Sequence, residues 1–204
     1  DVLATVAAET EAIAREAAAK VKVEYEVLAP VTDVFEALKP GAEQVHPMFP
    51  GNVLHRASVK VGDAETALAG SAYITRNRFT TQRVEHAFLE PEATLALPWT
   101  KDGEPGVKLY SCSQGVYEDR HQVALLAWHT GRPAMVRLSR QDSLRMHTKR
   151  HPIVMDYAVG CDKDGLLTGM VVTMHSDSGA YSSVGLAVIE RAVSHSAAAY
   201  YVPN

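Results

Sequence analysis

The sequence is poor in cysteine: it has two, Cys112 and Cys161, far apart and outside any CxxC spacing. That excludes a disulfide framework and a thiolate-held zinc or iron–sulfur centre on this chain, and makes a reducing cytoplasm the expected setting. No apolar run approaches the roughly 18 residues of a membrane span, so no membrane partner is expected. The apolar start, Val2 to Ala8, is broken by Glu9, Glu11, Arg15 and Glu16 with no basic segment before it, unlike a secretion signal. An excess of positive charge is missing as well. A formal net charge of -4 argues against a nucleic-acid partner. What is present, 204 residues with 47% hydrophobic and 22% charged, suits a folded body able to bury a core. The chain starts at Asp1, without a methionine, and stops at Tyr201-Val202-Pro203-Asn204, so both ends are expected to be cut points.

Periodicity predicts a mixture of helices and strands. Residues 5–20 read as an alanine-rich helix with acids early and bases late. Residues 21–27 alternate with period two and read as a strand. The stretch 30–50 holds Pro30, Pro40, Pro47 and Pro50 around a short helix at 33–38, and marks the best domain boundary. Beyond it, strands are expected at 53–61, 72–80, 93–97, 107–113 and 134–138, with helices at 63–69 and 116–129. Strands at 155–161 and 166–176 flank Asp162-Lys163-Asp164-Gly165, a hairpin signal, and a helix covers 184–195.

Several residue groups could carry chemistry. His147 and His151 have the spacing of a helical metal pair, but Pro152 pushes His151 toward extended geometry and no glutamate stands where a zinc protease needs its base, so no metal site is expected. Arg132, Arg137, Arg140, Arg145, Lys149 and Arg150 form a basic stretch, either an anion dock or a face of ion pairs. Asp162 starts like a calcium loop, yet Thr173 stands where the final glutamate belongs, which leaves a turn. Glu85, His86 and Glu90 form a candidate acid/base cluster without a nucleophile or metal. Gln114 falls where a strand gives way to a helix, a place where α/β proteins collect ligands, or it is loop filler or a helix cap. Arg191 sits on the helical face of Val184, Val188 and His195, where it either faces a cleft and stabilises developing negative charge, or belongs to an exposed face or a structural ion pair.

Taken in order, Val84-Glu85-His86-Ala87-Phe88-Leu89-Glu90-Pro91, Ser113-Gln114-Gly115-Val116-Tyr117, Ala127-Trp128-His129-Thr130-Gly131-Arg132-Pro133, Lys149-Arg150-His151-Pro152, Gly179-Ala180-Tyr181, Glu190-Arg191-Ala192 and Tyr201-Val202-Pro203-Asn204 resemble the molybdopterin-binding large subunit of the xanthine dehydrogenase/aldehyde oxidase family, bacterial xanthine dehydrogenases above all. The resemblance covers essentially the whole chain. It implies an α+β fold, with residues 1–47 as the C-terminal part of an α/β hammerhead domain and 48–204 as a partial molybdopterin-binding domain of mixed sheet and helices. It also implies a molybdenum–molybdopterin cofactor that hydroxylates an electron-poor carbon with water as oxygen source, acting on a purine, a related heterocycle or an aldehyde. Electrons would leave through 2Fe-2S and FAD domains or subunits of an oligomeric, cytoplasmic parent. In that scheme Gln114 binds the cofactor through the molybdenum centre, and Arg191 is the catalytic residue that holds the heterocycle.

Two departures stand against the pattern. The family's glycine-rich Gly-Gly-x-Phe-Gly-Gly-Lys-Glu loop is missing, because Gln122-Val123-Ala124 runs straight into Leu125-Leu126-Ala127-Trp128, an apparent deletion at 124/125. The family's base glutamate belongs to a later part of the subunit and is missing too. The chain alone is therefore expected to be inactive, with the cofactor bound in the parent and not by this piece. The alternative from another class is a non-catalytic remnant or subunit-association module.

Overall fold

The computed structural model describes residues 2–112 and 121–204. The chain folds as two compact units interleaved in sequence: Asp1–Val27 with Ala87–His147, and Leu28–His86 with Thr148–Asn204.

In the first unit, helix α1 (Glu11–Ala19) begins later than its alanine content predicts. Thr10 sets the start, because its hydroxyl caps the Ile13 amide. Strands β2 (Ala93–Lys101) and β3 (Glu104–Ser111) form a hairpin in which Lys101 pairs with Glu104. Asp102 and Gly103 make its two-residue turn, both with positive φ (52° and 86°), as the favoured hairpin geometry demands. β4 (Ala134–Arg137) adds to the other edge of β2, giving the order β3-β2-β4. Helix α4 (His121–Thr130) packs on this sheet through Val123 and Ala127, which meet Ala96 in a small core walled by Val107, Leu109 and Ala134. The start expected for this helix, at 116, lies outside the described residues. Helix α5 (Arg140–Met146) was not predicted, although Ser139 and Asp142 close a full capping box before it.

The second unit is built on strands β1 (Tyr73–Thr80), β5 (Ile153–Cys161) and β6 (Leu167–Ser176), antiparallel throughout and in the order β1-β5-β6. The hairpin at 162–165 forms as expected, with Asp162 Oδ1 accepting from the amides of Asp164 and Leu166. Helix α3 (Ala64–Ala69) lies on β5 and β6 and buries Leu68. It approaches closely because Gly169 has no side chain: a Cβ there would sit 2.9 Å from the Ala67 Cβ. Helix α2 (Val34–Ala37), capped by Asp33, and helix α6 (Gly185–Ser194) complete the unit.

Two expected strands do not form. Residues 21–27 and 53–61 keep their alternation but have no ladder partner among the described residues, and a strand without one leaves its amides and carbonyls to water. Val27 is 89% exposed as a result. Buried hydrophobic side chains among the described residues are few, namely Leu68, Ala96, Val123 and Ala127. Large apolar side chains such as Met48, Leu89 and Tyr201 are more than three-quarters exposed. Much apolar surface is left uncovered.

Candidate functional site

Of the residues expected to act near a ligand, Arg191 lies in the second unit, on the helix that follows β6 and is reached through loop 177–184. Asp177 organises this loop. Its Oδ2 accepts from Arg83 Nη2 at 2.7 Å, its Oδ1 accepts from the Gly179 amide at 2.8 Å, and its own amide donates to the Pro152 carbonyl at 3.0 Å. Gly179 takes φ of +69°, Ser182 and Ser183 are also in the left-handed region, and the Thr148 hydroxyl donates to Ser183. Gly185 opens α6 in close contact with Ser178 and Leu54, where a side chain would clash.

Arg191 lies on the flank of α6 away from its packed face, which is formed by Gly185, Val188, Ile189, Ala192 and Val193. It is exposed, and no described carboxylate pairs with its guanidinium. Its neighbour Glu190 faces elsewhere and meets His55 Nε2 at 3.1 Å. Of the alternatives open to Arg191, internal pairing is not realised among the described residues, and the side chain lies on an exposed face. The unit also holds a cavity of about 790 Å³ between β6, α6 and residues 31–61, with Val172, Met174, Ile189 and Val193 among its walls. Arg191 is not one of the lining residues. Gln114 lies outside the described residues.

His151 is 6% exposed, and neither ring nitrogen has a hydrogen-bond partner among the described residues. Burial pushes its pKa below the ordinary histidine value, the Arg83 guanidinium adds to that, and Asp177 opposes it. His147 has a different fate. It ends α5 in an extended conformation, so the two histidines do not share a helical face, and its Nδ1 lies 2.8 Å from Glu92 Oε1. No group of three metal-ligating side chains forms among the described residues.

The Glu92–His147 contact was not legible in the sequence, since the partners are 55 residues apart. Burial pushes the Glu92 carboxyl upward, but the nearby Ser143 hydroxyl, its own backbone amide and His147 together hold it below the usual carboxylate range. Ser143 lowers it by proximity, without closing a hydrogen bond of good geometry.

Three of the six residues of the basic stretch are engaged, two of them with carboxylates. Arg132 grips Glu9 with both terminal nitrogens, Arg140 donates to the Leu89 carbonyl, and Lys149 meets Glu85 at 2.5 Å. That last pair also takes Glu85 out of the acid/base cluster. No helix is long and apolar enough to cross a membrane among the described residues.

The described residues fit a pterin cofactor only in part. Arg191 offers an uncommitted guanidinium, but no cradle of buried donors is assembled around it among the described residues, so no reaction step is derived through such a group.

The chain matches the molybdopterin cofactor-binding domain family over residues 45–126 and again over 121–204. It is 32% identical over 238 positions to a probable xanthine dehydrogenase subunit of Bacillus subtilis (strain 168), covering 100% of this chain and 31% of that protein. It is 29% identical to the nicotinate dehydrogenase large molybdopterin subunit of Eubacterium barkeri, covering 100% of this chain and 55% of that one. The aldehyde oxidoreductase of Desulfovibrio gigas superposes with a TM-score of 0.75 at 27% identity, over 87% of this chain and 23% of its own. The chain thus spans between about a third and about half the length of these two sequence relatives. The first match extends over 238 positions against 204 residues here, so a few tens of positions in that relative have no counterpart. The two family matches meet at residues 121–126, inside α4.

Proposed function

Because this chain belongs to the molybdopterin cofactor-binding domain family, we propose that it is a part of the large subunit of a molybdenum hydroxylase whose parent oxidises purines, related heterocycles or aldehydes. The expected boundary, with 1–47 closing a hammerhead domain and 48–204 forming a partial cofactor domain, belongs to this proposal. So do the iron–sulfur and flavin partners.

The observation that carries the reading is Arg191, a guanidinium left without a carboxylate among the described residues, on a helix whose start is held by the Asp177 loop. A cation kept free in this way is suited to hold a heterocycle and stabilise negative charge as it develops. Gln114 is assigned to hydrogen-bond the metal centre, since its amide both donates and accepts. When bound, the cofactor would supply the oxidation; the chain's own residues would bind and orient.

On its own the chain is assigned no activity. Helix α4 runs unbroken through Ala124 and Leu125, which supports a true junction where the family carries its glycine-rich loop. Without that loop, little transition-state stabilisation is left. The exposed large apolar side chains within each unit support the second reading, a subunit-association module.

The test uses the complete parent enzyme. Arg191→Ala should depress turnover on purines far more than it lowers thermal stability, and Arg191→Lys should recover only part of it, because a point charge does not reproduce the planar fork. Parallel losses of activity and stability would overturn the assignment.

A further inference from the structure

The ladder between β1 and β5 runs past the ends of both strands. The Thr81 amide donates to the Ile153 carbonyl, the Ile153 amide donates to the Thr81 hydroxyl, and Val84 bridges Arg150, whose amide donates to the Val84 carbonyl. The register that pairs Thr80 with Val154 thus continues to Arg150 and sets Arg83 across from His151, where facing side chains touch. On the other flank of this segment the Asp177 amide donates to the Pro152 carbonyl at 3.0 Å. Arg83 therefore starts on the β1 side and ends on the β6 side, 2.7 Å from Asp177, so its side chain crosses the middle segment where His151 lies buried.

Neither nitrogen of that imidazole has a partner among the described residues, and the charges acting on it are Arg83 from one flank and Asp177 from the other. A neutral ring leaves one N–H unpaired. A protonated ring leaves two, adds a cation beneath the guanidinium, and finds the Asp177 carboxylate already taken by Arg83 and the Gly179 amide. The loop held by this carboxylate is itself strained, with Ser182 and Ser183 at φ of 54° and 42°.

We propose that Arg83, His151 and Asp177 form a proton-sensitive latch: closed over a neutral His151 it holds loop 177–184 against the sheet, and protonation of His151 releases the loop and with it the start of α6. The sign follows from the two forms. In the open loop the imidazole titrates near its ordinary value of about 6.5, whereas burial first and Arg83 second oppose the proton when the loop is closed. The proton binds the open form first, so at pH 5.5 the open fraction should be about ten times that at neutral pH. The latch does not depend on the cofactor reading.

Amide hydrogen exchange of the full chain at pH 7.5 and 5.5, corrected for the intrinsic pH dependence of exchange, tests it. Protection of the Asp177, Gly179 and Gly185 amides, which donate to Pro152, Asp177 and Ser182, should fall about tenfold at the lower pH. The Thr81 and Met170 amides of the same unit should change far less. His151→Leu, its fold checked by far-UV circular dichroism, should remove the pH dependence of the loop. Arg83→Met, which cuts the strap and leaves the imidazole, should speed loop exchange already at pH 7.5 and shrink the ratio between the two pH values. Loop protection equal at both pH values in the unaltered chain, or a fall as large in His151→Leu, would overturn the proposal. So would an equal fall at Thr81 and Met170, which reports unfolding of the whole unit.

Discussion

Arg83 Nη2 and Asp177 Oδ2 lie 2.7 Å apart and join the segment after β1 to the end of β6. Because the second carboxylate oxygen of Asp177 also holds the Gly179 amide, one side chain fixes the loop from which α6 starts. Asp177→Ala removes both hydrogen bonds at once. The expected cost is about 1–2 kcal/mol in urea unfolding, with the ion pair itself adding little because Arg83 is half exposed. A loss of stability no larger than that of Arg83→Ala would show that the Gly179 contact contributes nothing.

His151 should give the chain a pH dependence of known sign. Its folded-state pKa lies below the unfolded value of about 6.5. The unfolded chain therefore binds the proton first as pH falls, so stability present above about 6.5 is lost progressively until the folded-state value is reached. His151→Leu leaves no ring nitrogen without a partner, and should flatten thermal stability between about pH 6.5 and 5, above the range where the carboxylates titrate. Identical pH profiles for wild type and variant would contradict this.

Gly169→Ala should loosen α3. The added methyl meets the Ala67 Cβ at 2.9 Å, and a well-packed contact answers such crowding with a loss of about 1–3 kcal/mol. Amide hydrogen exchange along α3 should accelerate more than along α4. Uniform acceleration in both would point to a global effect instead.

Ala127 is fully buried against the sheet of the first unit, and Ala127→Leu should cost about 1–3 kcal/mol by overpacking. Leu126→Ala, half-buried one position away, should cost less. An unchanged melting temperature for Ala127→Leu would mean that α4 does not dock as described.

How much of the fold was legible in the sequence depends on the kind of signal each element leaves. The β5–β6 hairpin, β1 and α3 were legible because turn chemistry and periodicity agree there, and Asp162 organises its own turn. The residues at 21–27 and 53–61 show the limit of alternation: period two reports a face, whereas a strand also needs a neighbour to bond, and none is found among the described residues. Helix α5 had a readable signature in Ser139 and Asp142, hidden among the arginines around it. The interleaving of the two units could not be read at all, since it rests on contacts between distant segments. For the site, Arg191 was recognisable by type and place, but its lack of a carboxylate partner among the described residues and the Asp177 loop at the start of its helix emerge only in three dimensions.

The chain belongs to the molybdopterin cofactor-binding domain family, and the proposal is that it does not hold the cofactor on its own. It is tested most directly by the molybdenum and pterin content of the purified chain after coexpression with iron–sulfur and flavin subunits of a family member. The account predicts metal far below one equivalent, rising when a glycine-rich loop is inserted between Ala124 and Leu125. Molybdenum and pterin near one equivalent in the unaltered chain would contradict it.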